Sequence, residues 1–252
     1  MAGQTKAEIR AERGAKRLRA YLSGECVLDT VRPWLVWEHP YYPAYYVPVD
    51  DVLAQLAPAG RADADDRLGE CELFDVGAPS GTATAAARRY PRAPIEALQD
   101  LVRIDWDSMD EWLEEDEAVY THPRDPYHRV DVLDSSRHVR FELDGQLLAE
   151  SRRPRILFET GLIPRYYLPL PDVRLELLRP SLTRTHCPYK GEASYWSVEL
   201  DGAAHPDLVW CYRAPLAESA KIAGLACFYS EKVSFYLDGT LQTQQRPHPD
   251  AP

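Results

Sequence analysis

Val139-Arg140-Phe141-Glu142-Leu143-Asp144-Gly145 is the stretch on which the fold of this chain turns. Val139, Phe141 and Leu143 alternate with Arg140 and Glu142, the period of two that marks a strand with one buried face. Asp144-Gly145 supplies the left-handed residues of a tight hairpin turn, and Leu147-Leu148 begins the returning strand. Leu18, Ala20 and Leu22 with Ser23-Gly24 form an earlier version of the pattern, and Val233 to Gly239 a later one. A strand that closes a domain beside the strand that opened it accounts for the later echo.

The echoes belong to a longer repeat. At an offset of 121 residues, Arg19, Leu22 and Gly24 recur as Arg140, Leu143 and Gly145. Arg32-Pro33 recurs as Arg153-Pro154, and Glu38 as Glu159. Pro43, Tyr45-Tyr46, Pro48 and Asp51-Val52 recur as Pro164, Tyr166-Tyr167, Pro169 and Asp172-Val173, and Ala93-Pro94 as Ala214-Pro215. One register held over about 75 residues marks a duplicated domain.

The 252 residues are 45% hydrophobic and 27% charged, a balance that supports a sizeable core. A formal charge of -11 excludes a general nucleic-acid binder, which needs a basic face. No apolar run approaches the roughly 20 residues of a membrane span, and Met1 to Glu8 lacks the apolar core of a signal peptide. The five cysteines (Cys26, Cys71, Cys187, Cys211, Cys227) form no Cys-x-x-Cys pair, so no zinc site is expected. Reduced thiols in the cytoplasm are the expectation.

These signals divide the chain into a loose arm at 1–15, a first copy at 16–103, a junction at 104–136, a second copy at 137–243 and a tail at 244–252. In the junction, Ser108 before Glu111 forms a capping box, and Met109, Trp112 and Leu113 fall at helical spacing, so a short acidic helix is expected there. Thr121 to Val130 reads as a Pro-stiffened linker, and Ala57 to Glu70 as a surface loop.

The chemistry concentrates in Thr185-His186-Cys187-Pro188-Tyr189-Lys190-Gly191. It has no copy in the first half: at offset 121, Cys187 and Lys190 fall opposite Asp66 and Gly69. If one copy is chemically competent, it is the second. A turn holding Cys187 near Lys190 suits a nucleophilic or redox thiol, whereas a packed apolar cysteine is the commoner fate of that residue. Lys190 is a candidate for holding a negative substrate group or for activating the thiol. His186 is poorly placed as the base for Cys187, because adjacent side chains on extended backbone face opposite ways. Glu159 is a candidate general base or ion-pair partner, and its persistence as Glu38 also fits a scaffold role. Tyr167, Tyr189, Tyr195, Trp196, Trp210 and Tyr212 are candidates for an aromatic-lined ligand pocket. His122 and His128 read as turn caps, and Cys211 and Cys227 as packed residues.

Three runs carry a family resemblance: Glu159-Thr160-Gly161 through Pro169, Thr185 through Tyr195, and Trp210-Cys211-Tyr212 through Pro215. They resemble the Domain of Unknown Function 427 family, closely over about Val130 to Gly239 and weakly in the first half. The resemblance implies tandem β-tent-like domains, each of two small antiparallel sheets, and thus an all-β protein with a short helix near the junction. The β-tent group includes zinc-binding members, but paired zinc cysteines are missing here, so no metal and no other cofactor is expected. A nucleotidyltransferase-like label also travels with the family, and no Gly-Ser pair followed by metal-binding aspartates supports it here.

The expected function is therefore a small-molecule enzyme or redox protein using Cys187, supported by Lys190 and Glu159. The rival is a binding module with an aromatic pocket and no catalysis. The expected partner is a small molecule, with neither nucleic acid nor membrane. Substrate, oligomeric state and the purpose of the first copy are not legible in the sequence.

Overall fold

The computed structural model describes residues 8–243. The chain divides between Asp125 and Pro126 into two compact units. In the first unit the strands are β1 (Arg10–Arg13), β2 (Leu18–Leu22), β3 (Glu25–Thr30), β4 (Trp34–Trp37), β5 (Ala44–Pro48) and β6 (Gln55–Asp65). They continue with β7 (Gly69–Ala78), β8 (Gly81–Arg89), β9 (Leu101–Ile104), β10 (Glu111–Glu114) and β11 (Glu117–Ala118). The second unit holds β12 (Val130–Asp134), β13 (Val139–Leu143), β14 (Gln146–Ser151), β15 (Arg155–Glu159), β16 (Arg165–Leu168) and β17 (Leu178–Cys187). It closes with β18 (Gly191–Leu200), β19 (Ala203–Tyr212), β20 (Ala226–Phe228), β21 (Ser234–Leu237) and β22 (Thr240–Leu241). Among the described residues the helical elements are short 3-10 turns. The protein is all-β.

The two units share one topology. A seven-stranded antiparallel sheet runs β1-β4-β5-β9-β8-β7-β6 in the first and β12-β15-β16-β20-β19-β18-β17 in the second. A four-stranded sheet runs β11-β10-β2-β3 in the first and, read in the same sense, β22-β21-β13-β14 in the second. The opening stretch behaves as its alternation dictates: Val139 and Phe141 are fully buried, and Asp144 and Gly145 turn at φ 49° and 82°. β21 lies beside β13, with Phe141 opposite Phe235, while β12 enters the unit ahead of them in the larger sheet and β22 follows at the edge of the smaller one.

Strand alternation gives each seven-stranded sheet two apolar faces. In the second unit the inner face joins Ile156, Tyr166, Leu168, Val198, Val209 and Phe228 to Phe141 and Leu148 of the smaller sheet. The outer face carries Leu157, Tyr167, Ala193, Tyr195, Trp210, Tyr212 and Cys227, with Ile222 from the 3-10 turn Ala217–Ile222 packed among them. The repeated arginines and aspartates form the same latch twice. Arg153 grips Asp172 with Nη2 at 2.9 Å and Nε at 3.1 Å while Ser151 Oγ donates at 2.7 Å. Arg32, Asp51 and Thr30 repeat this arrangement.

Three local expectations are corrected. The acidic helix reduces to one 3-10 turn, Trp106–Ser108, and the residues after it form β10, paired with β2 so that Trp112 lies opposite Ala20. Pairing to β2 buries Trp112 against Trp106, rings 5.1 Å apart and stacked, and this outweighs a local cap. The predicted loop Ala57 to Glu70 is mostly strand: β6 pairs with β7 across bulges near Pro58–Gly60 and Ala62–Asp65. As an edge strand it tolerates Pro and Gly, because only one of its sides is hydrogen-bonded. Within the predicted N-terminal arm, Arg10–Arg13 is strand β1, paired with β4, and the Arg10 guanidinium lies 4.3 Å from the Trp37 ring centroid. Residues 1–7 of that arm and the predicted tail at 244–252 lie outside the described residues.

Candidate functional site

The Cys187 motif is the tip of the β17–β18 hairpin. Cys187 ends β17 opposite Gly191, which opens β18 at φ 90°. A Cβ at Gly191 would lie 3.5 Å from the Ala214 carbonyl oxygen and 3.6 Å from the Leu216 nitrogen, ordinary contact distances, so the turn lies against the chain that follows β19. Backbone bonds hold it there. Lys190 N donates to Cys187 O at 3.3 Å, Leu216 N donates to Lys190 O at 3.2 Å, and Ser219 Oγ donates to Tyr189 O at 3.3 Å.

Register places Thr185, Cys187, Ala193, Tyr195, Trp210 and Tyr212 on the outer face of the sheet, where Thr185 Oγ1 and Tyr195 OH bond at 2.8 Å. The small Ala193 stands between Tyr212 and Thr185 in the cross-strand row. On the same face, Trp210 Nε1 donates to Tyr167 OH at 3.2 Å. Burial holds the Tyr212 hydroxyl far above the ordinary tyrosine range, and the neighbouring Cys187 thiol, Tyr195 hydroxyl and Glu159 carboxylate add to the effect. Burial likewise raises Tyr167 and Cys227.

The Lys190 ammonium is committed to Glu159 Oε2, and both side chains are buried. His128 Nε2 lies 3.0 Å from Glu159 Oε1, and that nitrogen must carry the proton because a carboxylate only accepts. The His128 ring stacks on Tyr189, centroids 4.0 Å apart. Burial works against ionisation of Glu159. The His128 hydrogen bond and the Lys190 charge outweigh it and hold the carboxyl below its ordinary range.

Of the predicted residues, Cys187, Lys190, Glu159, Tyr167, Tyr189, Tyr195, Trp210 and Tyr212 are thus brought together around the outer face. Trp196 is not. It follows Tyr195 on a strand, faces the other way, and packs against the inner core. His186 pairs across the hairpin with Glu192, 3.3 Å away, on the side opposite Cys187. His128, read in the sequence as a turn cap, joins the site through Glu159, and no local pattern in the Pro-rich linker announces it.

The first unit keeps the scaffold and changes the chemistry. Its hairpin pairs Asp65 with Gly69 as Cys187 pairs with Gly191, an offset of 122, because the second unit has one more residue before this turn. The counterparts of Cys187 and Lys190 are therefore Asp65 and Leu68, which corrects the sequence register. Glu38 persists with other partners: Tyr46 OH donates to it at 2.9 Å and Arg103 Nη1 at 2.7 Å. Arg103 pairs with Tyr46 as Cys227 pairs with Tyr167.

Among the described residues no cluster of His, Cys, Asp or Glu is arranged to hold a metal ion, and no helix is long and apolar enough to cross a membrane. The architecture defines a tandem all-β protein with two two-sheet domains. The chain belongs to the family of a domain of unknown function (DUF427), whose model matches residues 10–115 and again residues 131–239. No curated protein matches it.

Proposed function

We propose that the second unit holds a small-molecule site in which Cys187 is the reacting group. The carrying observation is that Cys187 is half-buried, shares the outer face with Tyr195 and Tyr212 by register, and closes a turn with Lys190, whose ammonium is bonded to the buried Glu159. The first unit has Asp65 and Leu68 at the corresponding places, so the fold does not require these groups. The step is thiolate attack on an electrophilic carbon or sulfur: a new bond forms to Sγ, and the leaving group departs with its bonding pair. Lys190 and Glu159 order the turn that carries the thiol. Five unpaired cysteines suit a reducing compartment such as the cytoplasm.

The binding-module alternative has less support. Tyr167, Tyr195, Trp210 and Tyr212 are all buried and take up one another's space, so they form a floor more than an opening. The test is the alkylation rate of each thiol, resolved by peptide mass mapping, with Cys26 as the internal reference of similar exposure. Cys187 is expected to react well ahead of Cys26, and Cys187→Ser to lose capture of an electrophile library. Equal rates at the two thiols would refute the nucleophile.

A further inference from the structure

We infer that Glu159 sets the charge preference of this site: by cancelling Lys190, it reserves Cys187 for uncharged electrophiles. This rests on the thiol reading proposed above and names the substrate class for it.

The strand cations nearest the thiol on the outer face are closed on carboxylates, whereas Lys221 of the overlying 3-10 turn bonds the Val132 carbonyl and Lys232 lies over the Tyr229 ring, 4.6 Å from its centroid. Lys190 is bonded to Glu159, whose second oxygen is taken by His128. Arg165, further along the same face beside Trp210, is held bidentate by Glu231 at 2.6 and 2.7 Å. An anionic substrate reaching for the Lys190 ammonium would meet the Glu159 carboxylate in the same buried place. That repulsion is poorly screened away from water. An uncharged planar electrophile meets no such opposition, and the aromatic floor of Tyr167, Tyr195, Trp210 and Tyr212 suits it. Lys190 therefore does not act as the anion holder that the sequence suggests. Its charge is spent within the protein.

The experiment compares iodoacetamide with iodoacetate at Cys187 in the full chain, at one pH and one ionic strength. Both react identically: a bond forms between Sγ and the methylene carbon, the carbon–iodine bond breaks, iodide leaves with the bonding pair, and the thiol proton passes to buffer. Only the reagent charge differs. The rate ratio, amide over carboxylate, is measured against the same ratio for a small uncharged thiol, N-acetylcysteinamide. At Cys187 the ratio should equal or exceed that of the small thiol. In Glu159→Gln, Lys190 loses its counter-charge, and the ratio should fall about thirtyfold, the factor one unit charge gives at roughly 8 Å with an effective dielectric constant of about 20. A wild-type Cys187 that favours iodoacetate, or a ratio unmoved in a folded Glu159→Gln protein, overturns the inference. The wild-type comparison stands even if that variant fails to fold. A Cys187 inert to both reagents removes the thiol reading and this inference with it, whereas a reactive, anion-preferring Cys187 removes the inference alone.

Discussion

At the scale of single residues, the buried Glu159–Lys190 pair takes two charges out of water, and their mutual bond with the His128 hydrogen bond offsets that cost. Lys190→Met strands the carboxylate and should destabilise the protein by about 3 kcal/mol in urea unfolding. The pH dependence has a definite sign. Glu159 is held below its ordinary range, so its contribution is complete above the unfolded glutamate value, near ~4.3, and is lost as pH falls through the lowered folded value. Replacing Glu159 with Gln should flatten that acid limb of the urea midpoint, and an unchanged limb would show that other carboxylates govern it. Cys187, Lys190 and Glu159 were legible as candidates because they stand in compact motifs. His128 was not, because its link to Glu159 spans 31 residues and leaves no spacing to read. Trp196 follows the same alternation that turns His186 away from Cys187, and so faces the inner core and not the pocket side of Tyr195.

At the scale of elements, competition between local and distant pairing decides the outcome. Ser108 and Glu111 offer a capping box, yet the strand opposite β2 wins because it buries Trp112. Ser108→Ala should therefore change stability by less than about 0.5 kcal/mol, whereas Trp112→Ala should cost about 3–5 kcal/mol. Comparable costs for the two substitutions would indicate that the cap matters after all. The tip of the β17–β18 hairpin makes a different demand, since Gly191 turns at φ 90°. Gly191→Ala should cost about 1–2 kcal/mol and slow alkylation of Cys187 by disturbing the turn. The strands with clean alternation, such as β13, could be read from sequence. The edge strand β6 could not, because its Ala, Pro and Gly residues carry no two-residue period and its exposed face needs none.

At the scale of the whole molecule, the duplication was visible at offset 121 through the latch residues, and insertions then hid its continuation. The hairpin aligns one residue later, and β10 and β21 later still, so these two counterparts share no register with the match at offset 121. Each unit has core clusters drawn from its own residues alone. A fragment of residues 126–252 should accordingly fold by itself, with a strand-type circular dichroism spectrum and a cooperative melt. A fragment without a cooperative transition would mean that the second unit depends on the first. The pairing of β13 with β21, and of β2 with β10, has a genetic corollary. Where the second and the next-to-last strand of a domain run as neighbours, the small sheet is built from both ends of the chain, and a copy can be spliced in tandem without rethreading that sheet. Such a module multiplies easily, and each spare copy is free to lose its chemistry while its sibling retains it.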